Sequence, residues 1–464
     1  MMRLFSLALA LVVAGCSDRQ RSRSGLPDQL DVPPQMDSLI VQNEKHARAL
    51  AKQLDLKVAE EIWNYFRAGR SGNHSAMVRI FQALRGRAGQ YDGSTNDPAV
   101  GTPVWQLVLE VQLALESYTN GVPKWPTAFG TEIVKSVPRG SIYFGGTDPG
   151  RGLPTAFSKS HTEADPFFTL TQNSLADGHY LEYLRYLYGG KIQIPTADDS
   201  QHCFQAYLTE AQKRLQHDRD FPDEPRQIRP GESVEVVNNH VQVSGQVSVM
   251  AINALLAKII FDNNPKREFY IQESFPLDWM YPHLAPHGFI FKIHREPLST
   301  VSPELVAKDR EFWTQQQAGM IGDWLTPDTP VKAVCDFVDK IYLKQNLAGF
   351  AGDPTFVRSE FATKLYSKLR RSIGGLYNWR IANSKTSEEQ QRMSKEADFA
   401  FRQAFALCPF SPEAIFCYVN LLVQLQRLED ALLVAHAGLR LNPKDSQLQD
   451  LITELERIRS AQPK

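Results

Sequence analysis

RGSIYFGGTDPGRGLP, from Arg139 to Pro154, is the stretch on which the fold turns. Ile142, Tyr143 and Phe144 form a short β-prone run, followed at once by a loop with four glycines, two prolines, Asp148 and Arg151. Residues of that shape suit a pleated, buried surface. A strand that ends in such a loop is where α/β domains place ligands.

Outward from that stretch, strand and helix patterns alternate across residues 121–300. Ile133 to Val137 ends a short helix, and Phe167 to Leu170 is a second β-prone run. A helix is expected over Tyr180 to Tyr188, a third strand at Ser233 to Val237, and an Ala/Ile/Leu-rich helix from Val247 to Phe261. Glu268 to Ile271 and Phe289 to Ile293 complete five expected strands. The alternation predicts a three-layer α/β domain with a mostly parallel sheet.

Helical patterns flank this domain. In an N-terminal segment, 36–120, Leu50, Leu54, Val58, Ile62 and Phe66 keep a spacing of four up to the stop at Gly69 to Gly72. Met77, Ile80, Phe81 and Leu84 mark a second helix, and Val104 to Tyr118, apolar almost all round, a buried third. Ser302-Pro303 and Thr329-Pro330 predict helix starts in a connector, 301–357. Across 358–460 a period of 34 is legible: Ala397 with Ala431, Leu407 with Leu441, Pro409 with Pro443. That is the tetratricopeptide period, with small residues where paired helices approach. About one and a half such repeats do not form a solenoid alone and are expected to pack on the preceding helices.

Residues 1–16 read MMRLFSLALALVVAGC. Arg3 precedes an apolar run from Leu4 to Val13, too short to span a bilayer but of the length of a signal-peptide core. Val13-Ala14-Gly15-Cys16 resembles the lipobox of bacterial lipoproteins. The resemblance implies cleavage before Cys16, acylation of that cysteine, and a membrane partner held through the lipid. Ser17 rather than Asp follows, which leans towards the outer membrane, and the polar 17–35 stretch forms a tether. With 51 basic and 52 acidic residues the net charge is −1, so no global field favours nucleic acid. The other cysteines, Cys203, Cys335, Cys408 and Cys417, form no CxxC pair. They suit small buried hydrophobes, although an oxidising compartment permits a Cys408–Cys417 bridge.

The loop 145–152 has two readings. Its backbone N–H groups can cradle an anion, or Asp148 can serve as base or ligand at a strand end. Alternatively, it is a tight crossover in which glycines supply positive φ and Asp148 caps the turn. Gln172-Asn173-Ser174 and Asp177-Gly178-His179 are companion polar turns. Glu273 to Trp279 with His283, His287 and His294 has the elements of a metal site, but Pro282 and Pro286 keep His283 and His287 off a common helix face. No metal or other cofactor is expected. HExxH, GxSxG and P-loop patterns are absent.

GSIYFGGTDPGRGLPTAF (140–157) and FFTLTQNSLADGHYLEYLR (167–185), with REFYIQES (267–274) and DWMYPHLAPHGFIFKI (278–293), resemble the soluble region of bacterial membrane proteins related to protein O-mannosyltransferases. The resemblance covers about 125–300. In that family glycosyl transfer belongs to a multi-helix membrane domain, so the resemblance implies the fold and a polar pocket around Asp148, Arg151 and Asn173, not the activity. The candidate binding residues are therefore Asp148, Arg151, Asn173, His179 and Asp278, with Cys16 for lipidation. The expected role is an envelope-anchored binding or scaffold module, with a protein partner on the helical repeats. The alternative is an envelope enzyme, or a glycosyltransferase accessory, acting on glycans at the Asp148 loop.

Overall fold

The computed structural model describes residues 32–89, 95–159, 166–237, 240–272 and 277–461. Cys16, most of the tether, and Glu273 to Pro276 lie outside them. The described residues are mostly helical, with one five-stranded sheet and one separate two-stranded hairpin. Two compact units emerge: unit 1 contains Ile40–Val108 and Asn173–Asn263, and unit 2 contains Pro34–Leu39, Leu109–Gln172 and Asn264–Lys464.

In chain order, helix α1 spans Pro34–Gln53, α2 Glu60–Arg70 and α3 His74–Arg85. The spacing of four from Leu50 to Phe66 is thus not one continuous helix. The chain turns at Asp55, whose φ of 50° is incompatible with continuation, so apolar periodicity persists across a break. Helix α4 is Trp105–Thr119, α5 Lys124–Ser136, α6 Asp148–Phe157 and α7 Gly178–Tyr188. Helix α8, Ala197–Asp220, is mostly polar, buries only the narrow stripe Cys203, Tyr207, Ala211 and Arg214, and is opened by a capping box between Thr196 and Asp199. Helix α9 is Gln246–Asn263.

The remaining helices lie in unit 2. Helix α10 is Pro303–Ile321, capped by the Ser302 hydroxyl, and α11 is Val331–Val338. Pro330 rather than Thr329 holds the N-cap position of α11; the Thr329 hydroxyl instead donates to Trp324 O at 3.3 Å. Helices α12 to α17 follow at Pro354–Val357, Glu360–Asn383, Ser387–Leu407, Pro412–Gln424, Leu428–Leu441 and Ser446–Ala461. Helices α14 and α16 end 34 residues apart, and Ala397 and Ala431 are both fully buried. Gly374 of α13 lets α14 come close: a Cβ there would stand 2.9 Å from the Phe401 ring. Between these helices the buried Arg370 pairs with Asp309 at 2.8 Å and donates to Gln403, while Tyr377 also donates to Asp309. An unpaired charge there would be costly, so this network constrains how α10, α13 and α14 pack.

Strands β1 (Ile142–Gly145), β2 (Phe168–Leu170), β3 (Ser233–Val237), β4 (His240–Ser244), β5 (Phe269–Gln272), β6 (Leu284–His287) and β7 (Ile290–Ile293) complete the fold. The main sheet has the order β2-β1-β5-β7-β6. Strand β1 pairs parallel with β2 and β5, whereas β5–β7 and β7–β6 are antiparallel. The sheet is therefore mixed, not mostly parallel. The cause is local: β6 and β7 join through Gly288 and Phe289, with Gly288 at φ 64°, and so short a link permits only an antiparallel pair. Pro286, which lacks an N–H, is tolerated because β6 is the edge strand.

Ser233 to Val237 does form a strand, but not in this sheet. Only Asn238-Asn239 separates it from the next β-prone run, far too little for a crossover, so β3 and β4 pair with each other. Every residue of β1, β2 and β5 is buried.

Candidate functional site

The site begins where β1 and β5 end side by side. Strand β1 leads through α6 to β2 on one flank, while β5 lies on the other, so the chain diverges at Gly145 and Gln272. Such a switch point at the carboxyl ends of parallel strands is the usual ligand crevice of open α/β sheets. Gly146 N donates to Gln272 O at 3.0 Å, which holds the β1 exit against β5. Thr147 then caps α6: its hydroxyl accepts from Gly150 N at 3.2 Å and donates to the buried Gln272 Oε1 at 3.0 Å.

The glycines here serve close approach and not turn geometry. Gly145, Gly150 and Gly152 all lack positive φ, contrary to the tight-turn reading. A Cβ on Gly145 would lie 2.5 Å from Gly150 O, and one on Gly152 would lie 2.6 Å from Ala114 N of α4. Helix α6 thus sits nearly backbone to backbone on its neighbours, an arrangement only glycine allows. Tyr143 adds a bond from its hydroxyl to Gly150 O at 2.8 Å.

Within this frame Asp148 is an exposed residue of the first turn of α6, where a carboxylate complements the helix dipole. Thr147, not Asp148, provides the cap. Arg151 does not reach the rim. Its side chain is buried, and Nη2 donates to Glu110 Oε1 of α4 at 3.3 Å, with both side chains under 5 % exposed. Its role in this geometry is to lock α6 onto α4.

Asn173 and His179 belong to unit 1, and Asp278 to unit 2. Asn173 is exposed in a short turn, Gln172–Ser174. Its carbonyl accepts from Nδ2 of the fully buried Asn253 at 2.9 Å, and Asn253 Oδ1 accepts from Ala176 N at 2.7 Å. His179 is exposed on the first turn of α7; Asp177 is its N-cap, and Nδ1 lies 4.0 Å from Glu182. Asp278 is exposed at the start of a short 3-10 segment, Asp278–His283.

The histidines that suggested a metal have other duties. His283 Nδ1 lies 2.8 Å from His294 O, and His287 Nε2 lies 2.8 Å from Ser136 O at the end of α5. Burial, aided by the Lys292 charge, lowers the His294 pKa and favours its neutral form. Lys292 binds Glu268 at 2.5 Å and holds that carboxyl below its ordinary range. Among the described residues no group of three or more His, Cys, Asp or Glu is placed to hold a metal ion, and no helix is long and apolar enough to cross a membrane. All four described cysteines are free; burial pushes Cys335 and Cys408 up to about 12, so neither thiol is poised for exchange.

Four residues that shape these places were not singled out from the sequence: Glu110, Thr147, Asn253 and Gln272. Glu110 had a signal, since an acid flanked by Val108, Leu109 and Val111 in a mostly apolar helix calls for a buried cation. Comparison of the chain with family models, with curated proteins and with solved structures gives no match.

Proposed function

We propose that this chain is a lipid-anchored cell-envelope protein, facing the periplasm, that acts as a binding or scaffold module. The observation that carries the reading is Val13-Ala14-Gly15-Cys16 placed directly behind an apolar run of signal-peptide length. The sheet with helices on its faces is read here as a three-layer α/β domain, akin to the soluble region of the O-mannosyltransferase-related proteins. Helices α14 to α17, with their offset of 34 residues, are read as tetratricopeptide-like and as the seat of a protein partner. The switch point by Gly145, Thr147 and Gln272 offers a rim, with Asp148 exposed on it, for a polar ligand such as a glycan.

Mass spectrometry of the N-terminal peptide tests the anchor: a diacylglyceryl group on Cys16 is expected, and an unmodified or uncleaved N-terminus would overturn it. A second reading, an enzyme or glycosyltransferase accessory acting on glycoconjugates, draws on the strand-end position of Asp148. Turnover of a glycan substrate that is lost in Asp148→Ala would favour it over the scaffold.

A further inference from the structure

Three helices of unit 2 meet around a buried ion pair whose hydrogen bonding is incomplete. Asp309 and Trp313 lie one turn apart on α10, and Arg370 reaches them from α13. Arg370 Nη1 donates to Asp309 Oδ2 at 2.8 Å and Arg370 Nε to Gln403 Oε1 at 2.7 Å. The Tyr377 hydroxyl also donates to Asp309 Oδ2, at 2.8 Å. Gln403 Nε2 of α14 carries the chain of bonds back to Gln317 Oε1 of α10, at 2.8 Å. Three atoms are left over. Asp309 Oδ1, Arg370 Nη2 and Trp313 Nε1 are buried without a hydrogen-bond partner among the described residues. Their residues are 4 %, 0 % and 0 % exposed, so bulk solvent does not serve them either. A buried polar atom in that position has lost its hydration and gained nothing in return, which folded proteins rarely tolerate.

The three atoms belong to one place. Asp309 and Arg370 already touch through their other prongs, and Arg370 Cζ stands 5.2 Å from the Trp313 ring centre. The pair meets by one prong of each group, where arginine and carboxylate frequently meet by two. We infer that a single water molecule is a bound structural component here. It accepts from Trp313 Nε1 and Arg370 Nη2 and donates to Asp309 Oδ1. Two donors and one acceptor suit the capacity of water, and about three hydrogen bonds is what a buried water makes. Charge argues for the same ligand. An anion would face the Asp309 carboxylate, and a metal cation the Arg370 guanidinium, whereas a neutral molecule opposes neither. The water completes the network that ties the connector helix α10 to α13 and α14. The repeat region is then held to the preceding helix by a hydrated polar contact as well as by apolar packing.

A crystal structure of the full chain, at a resolution that places waters, tests the site. One ordered water within about 3.2 Å of all three atoms is the expected result. Direct pairing of Arg370 Nη2 with Asp309 Oδ1, with Trp313 Nε1 donating to a protein carbonyl, would overturn it. Density for the three side chains with none between them would do the same. NMR of the labelled indole N–H groups gives a second reading in solution. The chain has seven tryptophans, and the resonance lost in Trp313→Phe is the one to follow in the unsubstituted protein. That N–H is expected to show an NOE to water with the sign of a long-lived molecule, and to keep it in Tyr377→Phe. No NOE, or one that vanishes with the Tyr377 hydroxyl, would count against a bound water. Should Trp313→Phe fail to fold, the crystal structure of the unsubstituted chain decides alone.

Discussion

Strands β1 and β3 are alike as sequence and different as structure. Ile-Tyr-Phe-Gly and Ser-Val-Glu-Val-Val are both short β-prone runs. Strand β1 is buried along its whole length between two parallel neighbours, and α6 lies against it through glycines that admit no side chain. Strand β3 has a single partner, and its hairpin leaves Glu235, Val236 and Gln242 exposed. A two-stranded ribbon is marginal alone. What holds this one is a polar anchor: buried Glu232 accepts from Tyr207 and Arg214 of α8 and from Arg229 N–H. The comparison shows that β propensity names a strand, while the length of chain to the next run decides its partner.

The sharpest way to break the contrast is Glu110→Ala. It removes the buried carboxylate that Arg151 Nη2 meets in the β1–α6 region and should cost about 3–5 kcal/mol in chemical denaturation. The double change Glu110→Leu with Arg151→Met should recover most of that loss, because both members of the buried pair are then replaced together by apolar side chains. Next is Gly152→Ala, whose Cβ meets the α4 backbone at 2.6 Å and has no flexible neighbour to displace. About 1–3 kcal/mol of destabilisation is expected, and an unchanged midpoint would contradict the close approach.

The hairpin should answer to pH instead. Burial alone would raise the Glu232 carboxyl, but hydrogen bonds from Tyr207 and Arg229 and the Arg214 charge outweigh it, and the net shift is below the ordinary 4.5. A carboxyl depressed on folding stabilises the fold above its unfolded pKa, and that contribution is lost as pH falls through the lower folded value. Hydrogen-exchange protection in β3 and β4, taken relative to the intrinsic rate at each pH, should therefore fall below pH 4.5. Glu232→Gln should cost about 1.5–3 kcal/mol at neutral pH and flatten that dependence. The smallest effect belongs to Val236→Thr at an exposed hairpin position, within about 0.5 kcal/mol by thermal melt. A loss several times larger would show that β3 is more enclosed than its exposure indicates.

Much of this architecture was legible in the chain. Ile142 to Phe144, Phe168 to Leu170 and Phe269 to Ile271 are strands where the residues predicted them, and the Ser302 cap and the helix over 247–261 follow local rules. Helix α8 was not, because most of its length is polar and its buried stripe mixes a cysteine, a tyrosine, an alanine and an arginine. Strand β6 was hidden by Pro286, a residue that a strand accepts only at an edge. For the candidate site, the strand-end loop was visible, but Gln272 was not, since a polar residue closing a strand has no signature until its neighbour is known.

The sequence by itself determined the element types, the apolar cores, the 34-residue offset of the last helices and the lipobox-like motif, because periodicity, capping chemistry and short motifs act over a few residues. Only the tertiary structure decided how Arg139 to Pro154 is used. Its glycines admit α6 against β1 and α4, Arg151 is buried on Glu110, and its aspartate stands exposed in a first turn. Those outcomes depend on Ala114, Glu110 and Gln272, residues 35 or more positions away from the loop residues they meet, or supplied by a different strand or helix. Local propensity carries no information about such partners; packing does.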